Sequence, residues 1–257
     1  MFISDKFVFN GIHSDDMGVS LVTFDNNLFN IYGLSYNEEI SLNKSGVDMS
    51  HFVKGEGTIE EIELNLVLVD KDNNPLIWDD YSIMEITNWL ITDSFVEFIS
   101  EDNIDLVYYL KTKKIVKNFT MDRQGYLQVI LQPFSNLGYI KYDGDFSITN
   151  NGEFSITSPS SFKEYIPIIT IKNLGDNLDI ITLENEKFPN EVFEISNLDK
   201  SEVVTIDGLL GTVYNEYGDN LLMNCNRKWL KLTNGRNKIK VKGNIDINVK
   251  CQFPVRV

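Results

Sequence analysis

The chain has 257 residues, of which 42% are hydrophobic, so it is long enough for two domains that each bury a core. Its formal net charge of −15 argues against nucleic-acid binding, which requires a basic surface. No apolar run approaches the roughly 20 residues of a membrane-spanning helix, and no basic and apolar leader precedes the first predicted strand. The two cysteines, Cys225 and Cys251, are too few for a disulfide framework and lack metal-ligand spacing, which favours synthesis in a reducing cytosol.

The charge is distributed unevenly along the chain. Residues 1–137 hold 22 acidic and 9 basic side chains, whereas residues 227–257 hold 9 basic side chains and a single acidic one. The two regions could attract each other within or between subunits. Solvated faces are the favoured interpretation, because a run of charge alone seldom locates an interface.

The first predicted element is a β-hairpin or β-arch over residues 7–22. Phe7 and Phe9 lie on one face of a short strand, and Asn10 and Gly11 supply a tight turn because both residue types tolerate positive φ. A polar corner and a second apolar run follow. The chain is therefore predicted to begin with paired strands.

A half-buried strand is predicted over residues 62–68, where Ile62, Leu64 and Leu66 alternate with polar side chains. The preceding residues 33–57 are polar and without periodicity, which is typical of turns or a mobile loop. Further strands are predicted over residues 95–99, 106–110 and 126–131.

One helix is predicted in the first half. Ser82 and Glu85 match a capping box, and Ile83, Ile86 and Leu90 then recur at helical spacing over about three turns. We expect this apolar stripe to pack on a sheet. The helical pattern is absent after the break at residues 132–136, which divides the chain into predicted domains 1–136 and 137–257.

The second half consists of short apolar runs separated by Asn, Asp and Gly, which is typical of a β-sandwich or barrel. Lys238, Lys240 and Lys242 alternate with apolar residues, and an edge strand protected by lysine is the preferred interpretation. Cys251 shares a strand face with isoleucines and is predicted to be a small buried core thiol.

No enzymatic chemistry is predicted. His13 and His51 are the only histidines, both in polar stretches without a partner at ligand spacing. No nucleophile elbow, zinc-protease motif, P-loop or dinucleotide-binding glycine motif occurs. A pair of carboxylates could serve a glycosidase, but among 38 acidic side chains some pair always looks suggestive. We therefore expect no catalytic centre, no cofactor and no metal.

The chain resembles the distal tail proteins of long-tailed phages with non-contractile tails. Four short motifs carry the resemblance, in the order of the family: the opening arch, the end of the first domain, a strand-and-aspartate segment, and a turn of the form leucine-x-x-glycine-x-asparagine. The residues concerned are Phe7, Phe9, Asn10, Gly11, Ile12, Ser14, Asp16, Gly18 and Val19, then Gln132–Phe134, then Glu202–Asp207, then Leu232–Ile239.

This resemblance implies a mainly β virion protein. Its N-terminal domain would be a ring-forming β-sandwich or barrel-like domain with one α-helix, and its C-terminal domain a galectin-like β-sandwich. Six copies would form a ring joining the major tail (tube) protein to the tail-tip protein, and receptor-binding proteins could attach outside. Assembly in the host bacterial cytoplasm would precede incorporation into the phage tail tip. A tail-like bacteriocin particle is an alternative to an infectious phage.

A ring requires heterologous interfaces, and exposed strand edges are natural joints. We therefore predict that the ring contact lies near the opening arch and the strand that begins at Ile62, and that residues 33–57 become ordered on assembly. An acidic first half also suits a conduit through which DNA passes without binding. The predicted interface residues are Phe7, Phe9, Asn10, Gly11, Ile12, Ile62, Leu64 and Leu66.

The alternative function is a carbohydrate-binding β-sandwich that recognises the host cell wall. Trp229 would supply the aromatic platform, with Asn224 and Asn226 as hydrogen-bonding partners. Core packing of Trp229 is the competing interpretation, because this residue alternates with its neighbours like part of a strand. A polysaccharide pull-down separates the two functions.

Overall fold

The computed structural model describes residues 4–22, 61–176 and 180–256. The irregular segment predicted over residues 33–57, and His51 within it, lie outside the described residues. The described residues form two compact units, one made of those within residues 1–139 together with Arg256, and the other of those within residues 140–255. The predicted boundary between residues 136 and 137 stays a prediction.

The first unit contains a mostly antiparallel sheet and one α-helix. Its sheet has the strand order β3-β4-β7-β6-β5-β1-β2, in which the long β6 pairs with β5 up to Leu110 and with β7 beyond it. The elements are β1 (Phe7–Phe9), β2 (Ile12–His13), β3 (Val19–Leu21), β4 (Ile62–Leu68), α1 (Asp80–Leu90), β5 (Val96–Ser100), β6 (Leu106–Phe119) and β7 (Gly125–Pro133).

The opening arch forms as predicted. Asn10 and Gly11 have φ of 51° and 76°, and they join β1 to β2 in a two-residue turn of the type that matches strand twist. The arch is held from inside by Lys6, whose Nζ lies 2.6 Å from a carboxylate oxygen of Asp15 and 3.0 Å from Oδ1 of Asn73. This ion pair fixes the polar corner against the start of the chain.

The Lys6–Asp15 pair predicts a pH-dependent contribution to stability. The hydrogen bond from Lys6 lowers the pKa of Asp15, so the stabilisation is present above the unfolded pKa of about 3.9 and is lost as the pH falls through the lower folded value. We expect Asp15→Asn to cost about 1 kcal/mol or less at pH 7, because Asp15 is largely exposed. Urea unfolding at pH 7 and at acid pH tests this.

The difference in free energy of unfolding between the wild type and Asp15→Asn should disappear at acid pH. The control is Asp16→Asn, which changes an exposed neighbour. If Asp15→Asn lowers the free energy of unfolding by the same amount at both pH values, the prediction is wrong.

The helix has the predicted length, but it begins before the predicted capping residue. Asp79 is the N-cap, and its carboxylate accepts the backbone N–H of Ser82 at 2.8 Å and the hydroxyl of Ser82 at 2.8 Å. These bonds lower the pKa of Asp79. Ser82 therefore lies inside the first turn, and the predicted capping box with Glu85 is wrong. An aspartate three residues earlier provides the acceptor that the first N–H groups need.

The second unit contains two sheets. Their strand orders are β14-β13-β10-β16-β8 and β12-β11-β15-β9. The strands are β8 (Gly138–Ile148, which begins in the first unit), β9 (Gly152–Ser158), β10 (Ile168–Asn173), β11 (Ile181–Asn185), β12 (Phe193–Ile195), β13 (Val203–Asp207), β14 (Thr212–Asn215), β15 (Gly235–Lys242) and β16 (Ile245–Val255).

Alternate residues of both sheets form one apolar core in the second unit, including Ile171, Val204, Leu183 and Ile239. Cys251 is buried in this core, as predicted, and burial raises the pKa of its thiol. The prediction of a mainly β protein is confirmed, and the described residues include the one predicted α-helix. The galectin-like character of the second unit stays a prediction.

The interpretation of the lysine-bearing strand as an edge is wrong. β15 is an inner strand, paired with β11 on one side and β9 on the other. Lys238 lies 2.7 Å from a carboxylate oxygen of Glu153, and Lys240 lies 3.3 Å from one of Glu186. Carboxylates on the same face neutralise these lysines, so their alternation marks a solvent-facing row rather than a free edge.

Candidate functional site

The predicted interface residues of β1 are buried within their own unit. Phe7 and Phe9 are each 1% exposed. The ring of Phe7 stacks on Trp89 of α1 at 5.8 Å and on Phe98 of β5 at 5.4 Å. These two phenylalanines therefore attach the arch to the helix and cannot also offer their side chains to a neighbour.

The turn of the arch is accessible. Asn10 and Gly11 are exposed, and Ile12 is 39% exposed on β2, the last strand at this end of the sheet order. The backbone N–H of Asn10 donates to the carbonyl of Glu97 at 2.9 Å, which holds the turn in place. Of the predicted interface residues of the arch, Asn10, Gly11 and Ile12 are therefore the ones exposed for contact with another molecule.

The predicted interface residues of β4 are also buried. Ile62, Leu64 and Leu66 are at most 3% exposed. At Leu66 the strand pairs with β7 on one side and with β3 on the other, so this part of β4 is not an edge. The assignment of these residues to a subunit interface stays a prediction, and their side chains contribute to the core of their own unit.

A surface that the sequence analysis missed lies on α1. Its solvent side, here called the α1 outer face, consists of Tyr81, Met84, Glu85 and Asn88, together with Ile91, the residue that caps the C-terminus of the helix. Three of these side chains are large and apolar, with exposed fractions of 66%, 54% and 59% for tyrosine, methionine and isoleucine. The spacing of 81, 84, 88 and 91 was the available signal, because it marks a second helical face opposite the buried one.

The second surface lies on the hairpin of β6 and β7. Residues 113–117, here called the basic hairpin segment, have the sequence KKIVK. All three lysines are exposed, and the two β-branched residues are half-buried. Lys113 pairs with Glu61, whereas Lys114 and Lys117 have no carboxylate partner among the described residues.

Charge is segregated within the first unit. Residues 111–124 hold five basic side chains and one acidic one. The other described residues up to residue 139, namely 4–22, 61–110 and 125–139, hold 15 acidic and two basic side chains. The hairpin thus concentrates positive charge in a unit whose other described charged residues are mostly acidic.

The residues of the predicted sugar site have structural contacts. Trp229 is half-buried and stacks on Phe193 at 6.2 Å, with Gly208 so close that a Cβ there would lie 2.7 Å from the indole. The amide of Asn226 donates to the carbonyl of Val192 at 2.8 Å and accepts the N–H of Glu194 at 3.2 Å. The sugar site stays a prediction. The side-chain amide of Asn226, one of its two predicted hydrogen-bonding groups, is already bonded to the backbone beside β12.

Asn224 has the weaker of the two amide contacts, a 3.4 Å bond to the carbonyl of Asn197.

Two polar residues of the resemblance motifs shape turns in the second unit. The carboxylate of Asp207 accepts the N–H groups of Leu209 and Leu210, both at 3.0 Å. The buried amide of Asn237 donates to the carbonyls of Thr233 and Gly235 and accepts the N–H of Thr233. The motif residues therefore hold backbone conformation, which explains their chemical type.

The charged groups of the second unit form ion pairs across strands. A shallow depression of about 390 Å³ on the four-stranded sheet is lined by Glu153, Glu186, Lys187, Arg236 and Lys238. Its two carboxylates are paired with lysines. Among the residues that the structure describes, no group of three potential ligands is placed to hold a metal ion, and no helix has the length and apolar character needed to cross a membrane.

Comparison with known proteins defines the class. Residues 2–128 match the family model described as the phage tail protein N-terminal domain, and residues 137–251 match the one described as the phage tail C-terminal domain. Together with the mainly β fold, these matches define a structural protein of the phage tail. The chain belongs to the family of phage tail proteins that the two models describe, and the resemblance to distal tail proteins is confirmed.

Individual relatives agree with this family. The chain is 22% identical over 270 residues to the SPβ prophage-derived uncharacterized protein YomH of Bacillus subtilis (strain 168), with 97% of each chain covered. The crystal structure of the Dit protein (gp 19.1) of phage SPP1 has the same fold, with a TM-score of 0.58 and 12% identity over 96% of this chain and 98% of that one. A chain of the phage P2 baseplate matches with a TM-score of 0.48 at 12% identity, covering 97% and 98%.

Proposed function

We propose that this protein is the distal tail hub of a phage with a long non-contractile tail. The observation that carries the proposal is the fold shared over nearly the whole of both chains with SPP1 Dit, which is described as a paradigm of the hub adsorption apparatus in phages that infect Gram-positive bacteria. Six copies form a ring between the major tail (tube) protein and the tail-tip protein. The ring is assembled in the host bacterial cytoplasm and resides at the tail tip of the virion.

The two units have different roles in this proposal. The first unit forms the ring, and the second offers an outward platform to which receptor-binding proteins attach. The work of the protein is then geometric: it binds copies of itself and its neighbours, without turnover and without a cofactor. Ring closure needs two different surfaces on each copy, each complementary to the other.

Charge supports the role of the first unit as a conduit. Residues 1–137 have 13 more acidic than basic side chains. A ring whose lumen is lined by such a unit repels the phosphate backbone of DNA, so DNA passes without being retained.

The oligomeric state tests the proposal. We expect the full-length chain to elute, by size-exclusion chromatography with light scattering, at six times its 29.5 kDa mass. Negative-stain images should show rings with six-fold symmetry. A chain that stays monomeric at every concentration, even with the tube and tip proteins added, contradicts the proposal.

The carbohydrate-binding alternative has less support. Its proposed aromatic platform, Trp229, is stacked on Phe193, and the amide of Asn226 is bonded to the backbone.

A further inference from the structure

The α1 outer face has the composition of a contact surface. A helix at the surface of a monomer normally presents polar residues to water, yet Tyr81, Met84 and Ile91 are each more than half exposed. The helix does not need them for its own packing, because Ile86 and Leu90 on the other side are buried. Clustered exposed apolar side chains mark a site for a partner.

One acidic group lies within this apolar face. Glu85 is exposed, whereas Asp79 at the beginning of the helix accepts the bonds of Ser82. Asp80 is paired with Arg123 of the same copy at 3.1 Å. The partner surface should therefore combine apolar side chains with positive charge.

The basic hairpin segment has that combination. Side chains alternate along β6, so Lys114 and Val116 share one face of the strand, and Ile115 and Lys117 lie on the other. On the first face Lys114 is exposed without a carboxylate partner among the described residues, and Val116 beside it is half-buried. Outside residues 111–124, the described part of residues 4–139 holds two lysines, Lys6 and Lys71, and no arginine, and Lys6 is buried in its pair with Asp15. The hairpin is thus the one concentrated source of positive charge in that part of the unit.

We propose that the α1 outer face of one copy binds the basic hairpin segment of a second copy of this chain. The inference rests on the proposed ring and specifies which surfaces form its joint. The two surfaces differ, so the contact is heterologous, as ring closure requires. Both belong to the first unit, so every copy contributes one of each, and complementary charge aligns them during encounter.

Cross-linking tests the joint directly. In a Cys225→Ser background, we expect a Met84→Cys chain mixed with a Val116→Cys chain to form a disulfide-linked dimer under oxidising conditions, because a disulfide needs Cα atoms within about 7 Å. Neither variant alone should form it. The double variant should give a ladder of linked chains that ends at six.

Assembly measurements supply the second test. We expect Met84→Gln or Lys114→Glu to raise the chain concentration at half-assembly about tenfold or more. Glu85→Lys should weaken assembly, and its combination with Lys114→Glu should recover part of the loss. Met223→Gln is the matched control, because Met223 is an 83% exposed methionine of the second unit and should have no effect.

The outcomes separate this joint from the ring itself. A wild-type ring whose assembly is unchanged in Met84→Gln, and which gives no mixed dimer, overturns the joint and leaves the ring. A variant that forms the ring normally but no longer binds the tube or tip protein also overturns it, because the occupant of the face is then a different protein. A wild-type chain that is monomeric with all partners present overturns the ring.

Discussion

Replacing Trp89 by alanine is expected to lower the free energy of unfolding of the first unit by about 3 to 5 kcal/mol. Trp89 is 7% exposed and lies on the buried side of α1. Its indole stacks on Phe7 and meets the ring of Phe9 edge-on at 6.0 Å. The indole N–H also donates to the carbonyl of Phe9 at 3.0 Å. One side chain therefore joins the helix to the opening arch.

Guanidinium unfolding measures this effect. The expected loss corresponds to a midpoint shift of about 1 M for a domain of this size. Trp78 remains as a fluorescent probe of the first unit, and Trp229 reports separately on the second, whose transition should not move.

The control for Trp89 is Trp89→Phe, which keeps an aromatic ring and loses the indole N–H. It should cost about 1 to 2 kcal/mol, since one buried acceptor loses its partner. A loss below about 1 kcal/mol in the alanine variant would show that the arch does not depend on this contact.

The second large effect is expected at Asn237, whose replacement by alanine should destabilise the second unit by about 3 to 5 kcal/mol. The residue is completely buried. In the turn before β15, its side chain accepts the N–H of Thr233 and donates to the carbonyl of Thr233. Its amide oxygen also accepts a hydrogen bond from the side-chain amide of Asn185 at 3.0 Å. Removing it leaves several buried polar groups without partners, which costs more than the bonds themselves contribute.

Thermal unfolding followed through Trp229 tests the role of Asn237. Asn237→Leu, which restores much of the volume, should be almost as unstable as the alanine variant, because packing is not what the amide provides. The matched control is Asn226→Ala, an exposed asparagine with backbone bonds beside β12, which should cost about 1 kcal/mol. If Asn237→Ala and Asn226→Ala lower the stability equally, burial does not explain the effect at Asn237.

Short-range signals in the sequence were sufficient for the elements they describe. The Asn10-Gly11 turn was predictable because asparagine and glycine tolerate positive φ, whatever the distant residues of the chain do. The buried stripe of α1 follows from residue spacing, and Ile86 and Leu90 lie in the core. The helix start was misplaced because two acceptors, Asp79 and Ser82, suit the same first turn.

Long-range pairing could not be predicted in the same way. The lysines of β15 were assigned to an edge because alternation records one exposed face and says nothing about how many strands lie beside it. The carboxylates that pair with Lys238 and Lys240 belong to Glu153 and Glu186, which are distant in sequence. The same limit applies to Leu64, because alternation does not distinguish a core within one chain from one shared between chains.

The mainly β class, helix α1, the opening turn and, through the motifs, the phage tail family follow from the sequence alone. Those features depend on residues close together in the chain, whose conformational preferences act locally. Folding of the whole unit settles which apolar faces are used internally and which, like that of Tyr81 and Met84, are left exposed. That outcome depends on contacts between distant segments, and such contacts are set by the packing of the whole unit.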